Sequence, residues 1–444
     1  MIMPVNGQST AIFHRSLNKE YDTASSGSGV YIVHSDGSRT LDGSSGAAVS
    51  CLGHGHPVVI EAIVQQARKL AFAHSSFFTS DPAEQLAQLL IEQSAGAFTK
   101  VMFLSSGSEA VESAIKMARQ YHVSRGEAGR VNFICREYAY HGNTLGALSA
   151  GFNPPRRQAF EPLLSSAFHH VSPCFFTRDA KAEEDEEAYV DRLMAEYEEM
   201  FDTLGPSSVA AVLIEPMSGA TLGAVHAARG YLARLRDLCD THGALLIFDE
   251  VMCGMGRPGT LHAWQALGNV APDLQTIGKG LGAGYQPISA VLVGSKVHQV
   301  MQSSQSSHPF ISGHTYQGHS IGCAAALATQ QTIIHDNLLA NVVRMGELLD
   351  RELREQVPML KEIRGLGLFK AAEFATSPTC RIAADVARTC FSKGAAVYLC
   401  SPAVDAIVFA PPFIINEREV KELVKIVADS TKDVLEEQRM NSVK

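Results

Sequence analysis

Two stretches, VAAVLIEPMSG at 209–219 and ALLIFDEVMCGMGRPG at 244–259, most narrow what this chain can fold into. Each is a continuous apolar run that ends in a carboxylate and then in a cluster of turn-forming residues. A strand with one wet face alternates apolar and polar side chains. An unbroken run bounded by turn signals therefore predicts a parallel strand covered on both faces. Between the two runs, Arg229 to His242 carries a helical pattern. Strand alternating with helix predicts an α/β fold, a doubly wound and mostly parallel sheet with helices on both faces.

Other segments extend the pattern. VMFLSSGSEA, 101–110, reads as a buried strand that runs into Ser-Ser-Gly-Ser and opens a helix with Ala110, Ala114, Ile115 and Ala118 on one side. Such a helix start exposes unpaired N–H groups at the positive end of the dipole, where a phosphate binds well. Taken alone, an ordinary strand-to-helix turn with a serine cap explains it equally. Val131 to Tyr138 is a further strand, followed by Tyr140-His141-Gly142-Asn143. An aromatic beside a histidine at a strand's C-terminal end sits where planar ligands bind in open α/β sheets, with core packing as the competing reading. DLQTIGKGLGAGYQP, 273–287, places Lys279 in a glycine-rich bend after a short strand, and SAVLVG, 289–294, is another strand. By itself a lysine in such a bend is a solvated loop cation.

The flanking regions differ. Val30 to Asp42 predicts a hairpin around Ser35-Asp36-Gly37-Ser38, and helices are expected from Val58 to Phe72 and, with Asp81 as cap and Pro82 first, through Ile91. Periodicity fades over 154–172, which predicts a surface loop, and Ser303–Ser307 reads as a polar loop. The acidic run 181–201 carries Val190, Leu193, Met194, Tyr197 and Phe201 at helical spacing, so its charges form a wet face. Helices at Cys323–Ile334, Leu338–Val357, Ala383–Lys393 and from Glu417, with strands at Gly365–Phe374 and Ile407–Ala410, suggest a smaller α+β unit. The expected division is 1–70 as N-terminal arm and hairpin belonging to the small domain, 71–325 as the large domain, and 326–444 as the rest of the small domain.

Charge and cysteine usage exclude several functions. The net charge of −9 leaves no basic footprint for nucleic acid or an anionic membrane, and no apolar run is long enough to span a bilayer. Nine scattered cysteines without a CxxC pair fit a reducing compartment, so the cytoplasm is expected. His54 and His56 form no metal site on sequence grounds, and no metal is expected. GMGRPG at 254–259 matches a dinucleotide-binding pattern, but Pro258-Gly259 would break the helix that the motif must open.

A phosphate cradle at Gly107/Ser108, an aromatic plate at Tyr140, a strand-end Asp249 and Lys279 together meet the four demands of pyridoxal phosphate. These are a held phosphate, a stacked ring, a protonated ring nitrogen and a lysine Schiff base. Here the chain resembles the class III (omega) aminotransferases, pyridoxal-phosphate enzymes of fold type I. The blocks that carry the resemblance are VYIVHSDGSRTLDG, SSGSEAVESAIKMAR, YHGNTLGALS, AAVLIEPMSG, LLIFDEVMCGMGRPG, PDLQTIGKGLGAGYQPISAV, GHTYQGHSIGCAAAL and RGLGLF, spread over nearly the whole chain.

The resemblance implies that Gly107 and Ser108 hold the phosphate, Tyr140 stacks on the ring with Val251 against its other face, His141 is among the cofactor-binding residues, and Asp249 contacts the ring nitrogen. Glu215 matches a motif acid, as does Glu250. Lys279 forms the Schiff base and then moves the proton. Thr315 reaches the phosphate of a neighbouring subunit, which implies a homodimer with shared sites. The implied reaction is ping-pong transfer of an amino group from an amine or (omega-)amino acid to a 2-oxo acid or other carbonyl acceptor. Aminomutases or racemases of the same family are the alternative. Met252 stands where relatives acting on ornithine or γ-aminobutyrate carry glutamine, so the motif is nearer the amine/omega-amino acid:pyruvate branch. That branch often binds a substrate carboxylate with an arginine before the PP motif, yet Thr389 to Glu417 contains none, which leaves Arg156, Arg157, a lysine or a substrate of different polarity. Phe77 and Phe78 resemble aromatics lining the substrate site, and small Ala48 suggests room for a bulky amine.

Overall fold

The structure, a computed structural model, describes residues 10–303, 310–377 and 379–442. The first residues of the expected arm and most of the expected polar loop Ser303–Ser307 lie outside the described residues; Ser303 itself ends the Ser295–Ser303 helix.

Near the N-terminus, β1 (Ala24–Ser28), β2 (Tyr31–His34) and β3 (Arg39–Asp42) form an antiparallel meander, with the expected hairpin between β2 and β3. The central sheet then assembles from β4 (Phe98–Leu104), β5 (Asn132–Arg136), β6 (Phe168–Val171), β7 (Val209–Ile214), β8 (Leu245–Asp249), β9 (Leu274–Ile277) and β10 (Ser289–Gly294), in the spatial order β4-β10-β9-β8-β7-β5-β6. The pairings from β6 through β9 are parallel, and β10 runs antiparallel to both β9 and β4. Every residue of β7 and of β8 is buried, as the unbroken apolar runs require.

Helices cover both faces. The Glu186–Leu204 helix buries Tyr189, Val190, Leu193, Met194, Tyr197 and Phe201 against one face, leaving its acids outward as expected. The Gly107–Ser124 helix buries Ala110, Val111, Ala114, Met117 and Ala118 against the other. A sheet wound this way opens its ligand crevice at the strands' C-terminal ends. Here those ends lead directly to Ser106, Tyr140, Glu215, Asp249 and Lys279.

Three expectations are corrected. Residues 154–172 are not a plain loop: helical turns at Pro154–Arg157 and Gln158–Leu163 lead into β6, an edge strand of the central sheet. His169 and His170 interrupt its apolar run, which is why the strand pattern was hidden. The helix expected to be capped by Asp81 spans Asp81–Gln93 with Ser80 as the cap, so Asp81 lies inside the first turn. Gly365–Phe374 is not one strand: β11 (Leu360–Leu366) and β12 (Phe369–Phe374) form a hairpin turned at Gly367, φ +51°, where an added Cβ would lie 2.5 Å from the Arg257 carbonyl.

One of the remaining short strands ties the two ends of the chain together. β13 (Ala395–Ala396) pairs in parallel with β3, while β14 (Tyr398–Leu399) and β15 (Ala406–Phe409) join the β11–β12 hairpin. Among the described residues no helix is long and apolar enough to cross a membrane.

Candidate active site

At the C-terminal edge of the central sheet lies a cavity of about 420 Å³. Its first wall is the start of the Gly107–Ser124 helix. Ser106 caps it, its Oγ accepting from the Glu109 N–H at 3.2 Å, while the Glu109 carboxylate accepts from the Ser105 N–H at 2.8 Å. Gly107 is required by close approach, since an added Cβ would lie 2.7 Å from Val251 Cγ1. Ser108 Oγ accepts from the Asn143 N–H at 2.9 Å. Gly142 has φ +141°, and a Cβ there would press within 2.7 Å of the same Ser108 Oγ. The two glycines thus allow close packing where the cavity meets the positive end of a helix, a position that suits a phosphate.

The second wall is the end of β8. The Asp249 carboxylate meets His141 Nδ1 at 2.8 Å through one oxygen and accepts from the Val251 N–H and Thr276 Oγ1, each at 3.0 Å, through the other. His141 is buried, and its second ring nitrogen has no hydrogen-bond partner among the described residues. Beside it, Glu215 accepts from the Tyr140 and Gly219 N–H groups at 3.2 and 3.0 Å, and burial raises its pKa. Arg136 donates to the Glu215 backbone carbonyl and fixes that strand end. Tyr140 lines the cavity, and burial raises its phenol above the ordinary value.

Lys279 faces these groups from the loop after β9. Its φ of +41° is a left-handed conformation that costs a residue bearing a Cβ. Gly278 before it and Gly280 after it give the bend its shape. Burial pulls the Lys279 amine down to about 8, against the opposing pull of Asp249 and Glu215. A lysine tuned this way holds a useful neutral fraction near neutral pH. Val251, Met252 and Cys253 complete this side.

The structure thus brings Gly107, Ser108, Tyr140, His141, Glu215, Asp249, Val251 and Lys279 around one cavity. Four other sequence candidates lie elsewhere. Ala48 is buried in an apolar cluster with Phe175, Met217 and Leu222. Left-handed turns at Ser45, Gly46 and Ala48 rotate the backbone so that Ala47 lines the cavity instead. Phe77 and Phe78 stand on the surface at 78% and 66% exposure, and Thr315 is exposed as well. In this single chain none of these three touches the cavity. Phe78 lines a separate cleft with Gln317 and Gly318.

Glu250 is a scaffold residue. Its carboxylate accepts from the Ala263 and Trp264 N–H groups and from Gln275 Nε2 at 2.7–2.9 Å, and burial pushes it up to about 8. His54 pairs with Asp42 at 3.2 Å, which gives it a structural partner. Residues 254–259 form turns rather than the start of a helix. Sequence reasoning missed Arg15, Asn153, Thr221, Tyr398 and Ser401, all of which line the cavity. Tyr398 sits in a two-residue strand too short to leave a pattern.

A protein-family description, Aminotransferase class-III, matches residues 16–430. An aminotransferase of Schizosaccharomyces pombe is 39% identical over 94% of this chain and 94% of its own length. The diaminobutyrate–2-oxoglutarate transaminase of Halomonas elongata is 32% identical, covering 90% of this chain and 87% of its own. Among solved structures, the omega transaminase of Pseudomonas jessenii in complex with PMP superposes with a TM-score of 0.89 at 31% identity, over 94% of this chain and 93% of that one.

Proposed function

The chain belongs to the class-III aminotransferases, pyridoxal-phosphate enzymes of fold type I, and we propose that it moves an amino group from an amine or (omega-)amino acid donor to a 2-oxo acid or other carbonyl acceptor in two half-reactions. The observation that carries this reading is the meeting of Lys279, its amine lowered to about 8, with Asp249 in one cavity beside the Gly107–Ser124 helix start.

The residues present fit the cofactor: Gly107, Ser108 and Gly142 line the cavity at a helix N-terminus, where a Cβ on either glycine would collide with Val251 or Ser108, and Lys279 lines the same cavity with no carboxylate bonded to its amine among the described residues. When bound, pyridoxal phosphate supplies a ring that takes up the electron pair left on the substrate carbon. The backbone of Gly107 and Ser108 would hold its phosphate, and Tyr140 and Val251 would flank its ring. Asp249, oriented by His141 and Thr276, would keep the ring nitrogen protonated. Lys279 would tie the cofactor covalently and, once displaced by the donor's amine, take the proton from the donor carbon and return it to the cofactor. Glu215 would fix the backbone of Tyr140 rather than touch the reacting atoms.

Assembly follows the same reading. Phe77, Phe78, Tyr316 and Thr315 lie exposed on one chain, with Phe72 and Tyr316 edge to face at 5.9 Å between centroids and Phe77 and Phe78 at 6.4 Å. We take this aromatic surface as the seam of a homodimer, through which Thr315 and Phe78 would reach the partner's cavity. The parallel pairing of β13 with β3 supports placing 1–70 and 326–444 together as a small domain beside 71–325. All nine cysteines are free, which supports a cytoplasmic setting.

The test is optical. An amino donor added alone should convert the bound cofactor to its aminated form and stop, and an added 2-oxo acid should return it. Continuous turnover on donor alone would assign an isomerase instead. Lys279→Ala should lower the half-reaction rate by about 10²–10⁴-fold and abolish the visible band of the lysine-bound cofactor; wild-type rate and band in that variant would overturn the reading.

A further inference from the structure

The two carboxylates of the cavity have their partners: Asp249 meets His141, Thr276 and the Val251 N–H, and Glu215 accepts from the Tyr140 and Gly219 N–H groups. Its arginines do not. Arg156 and Arg15 both line the cavity, and neither has a carboxylate partner among the described residues. The Arg156 guanidinium carbon lies 5.1 Å from the centroid of the Tyr140 ring. Both arginines also act on the Tyr140 hydroxyl, opposing the rise that burial imposes, which places their charge at the same side chain. Arg15 comes from the N-terminal arm, where His14 stacks on Tyr21 at 4.5 Å between centroids and the Tyr21 hydroxyl accepts from the Ser16 N–H.

Neighbouring Arg157 is committed elsewhere. Its Nη1 donates to the Gly151 carbonyl at 2.8 Å, and its guanidinium lies 4.7 Å from the Phe152 ring centroid. The segment before Pro411 contributes Tyr398, Leu399, Cys400, Ser401 and Pro402 to the cavity, and no cation. Positive charge for a substrate carboxylate therefore comes from Arg15 and Arg156, both earlier in the sequence. An unpaired guanidinium offers a planar fork matched to a carboxylate, which an aldehyde or simple ketone cannot use.

We propose that Arg156, assisted by Arg15 from the N-terminal arm, is the carboxylate clamp of this cavity and selects 2-oxo acids over uncharged carbonyl acceptors. This rests on the transaminase reading above. The test compares pyruvate with propanal as acceptors for the aminated holoenzyme, alongside calorimetric titration of the holoenzyme with succinate, which cannot react.

Arg156→Gln should raise the KM for pyruvate about 10–100-fold, as expected for losing a charge-assisted bond, while the propanal parameters move less than about threefold. Arg15→Gln should act in the same direction by about two- to fivefold, as an assisting charge exposed to solvent. Arg156→Lys should recover part of the pyruvate selectivity, and Arg157→Gln should leave the pyruvate:propanal ratio unaltered. Equal losses on both acceptors, no loss on either, or loss of bound cofactor from Arg156→Gln would overturn the clamp. If the wild-type protein aminates neither acceptor nor 2-oxoglutarate, the transaminase reading fails, and the clamp is decided by succinate. Binding weakened about tenfold or more in Arg156→Gln upholds it, and unchanged binding overturns it.

Discussion

Asp249 and Glu250 are consecutive acids at the end of one strand, yet they serve two different regions of the molecule. Asp249 turns to the cavity side, where His141, Thr276 and the Val251 N–H hold it in place while it remains part of the cavity wall. Glu250 turns to the scaffold side, where two backbone N–H groups and Gln275 enclose it and no part of it is exposed. Adjacent residues in extended backbone point to opposite faces, so the division follows from a one-residue step. The difference teaches that a strand-end carboxylate is judged by what it leaves unoccupied. Asp249 has a direction open to a ligand, and Glu250 has none.

Substitution at the two positions should separate activity from stability. On the cavity side, Asp249→Asn should lower kcat/KM by about 10²–10³-fold, the usual loss when a preorganised charge is removed, with the denaturation midpoint nearly unmoved. On the scaffold side the pattern should invert. Glu250→Ala would strand two buried N–H groups and should cost about 2–4 kcal/mol in chemical denaturation, while the enzyme that remains folded keeps activity within about threefold of wild type. An equal activity loss from both substitutions would erase the distinction.

Acidity gives a third way to separate the regions. Glu250 has a folded pKa near 8, above the ordinary value of 4.5. The folded state therefore binds more protons than the unfolded state between those values, and its contribution to stability falls as pH rises from about 4.5 to about 8. Glu250→Gln should flatten that part of the stability profile. Lys279 is shifted the other way, from 10.5 down to about 8. Its neutral form, the one able to attack the cofactor's aldehyde, fills in as pH rises through about 8, and the cofactor-free protein should take up pyridoxal phosphate faster over the same range. An uptake rate that is flat from pH 7 to pH 9 would count against that role. The smallest expected effect belongs to Thr276→Val, which removes one bond to Asp249 and should slow the half-reaction about fivefold, in line with about 1 kcal/mol.

Much of this was legible from residue order. Continuous apolar runs announced β7 and β8, and the helices between them announced the winding of the sheet. The strand-end positions of Tyr140, Asp249 and Lys279 were legible too, because parallel sheets deliver successive strand ends to one edge. What was hidden depended on three dimensions or on very short elements. The run SAVLVG is as apolar as its parallel neighbours, so nothing in it reveals that β10 runs against them. Ala48 and Ala47 exchange places through left-handed backbone that a small-residue sequence does not disclose. Arg15 reaches the cavity only because its arm folds back across the chain, and no local pattern encodes such a return.

The β3–β13 pairing also bears on how this protein comes off the ribosome. β3 is synthesised early, but its parallel neighbour arrives only when Ala395–Ala396 has been made. Until then the β3 edge is an unpaired row of backbone donors and acceptors, open to any passing strand. The central sheet can close meanwhile from residues 98–294, so completion of the first sheet is a late and long-range event in biogenesis. Nascent chains stalled before Ala395 should accordingly be the ones that chaperones hold longest.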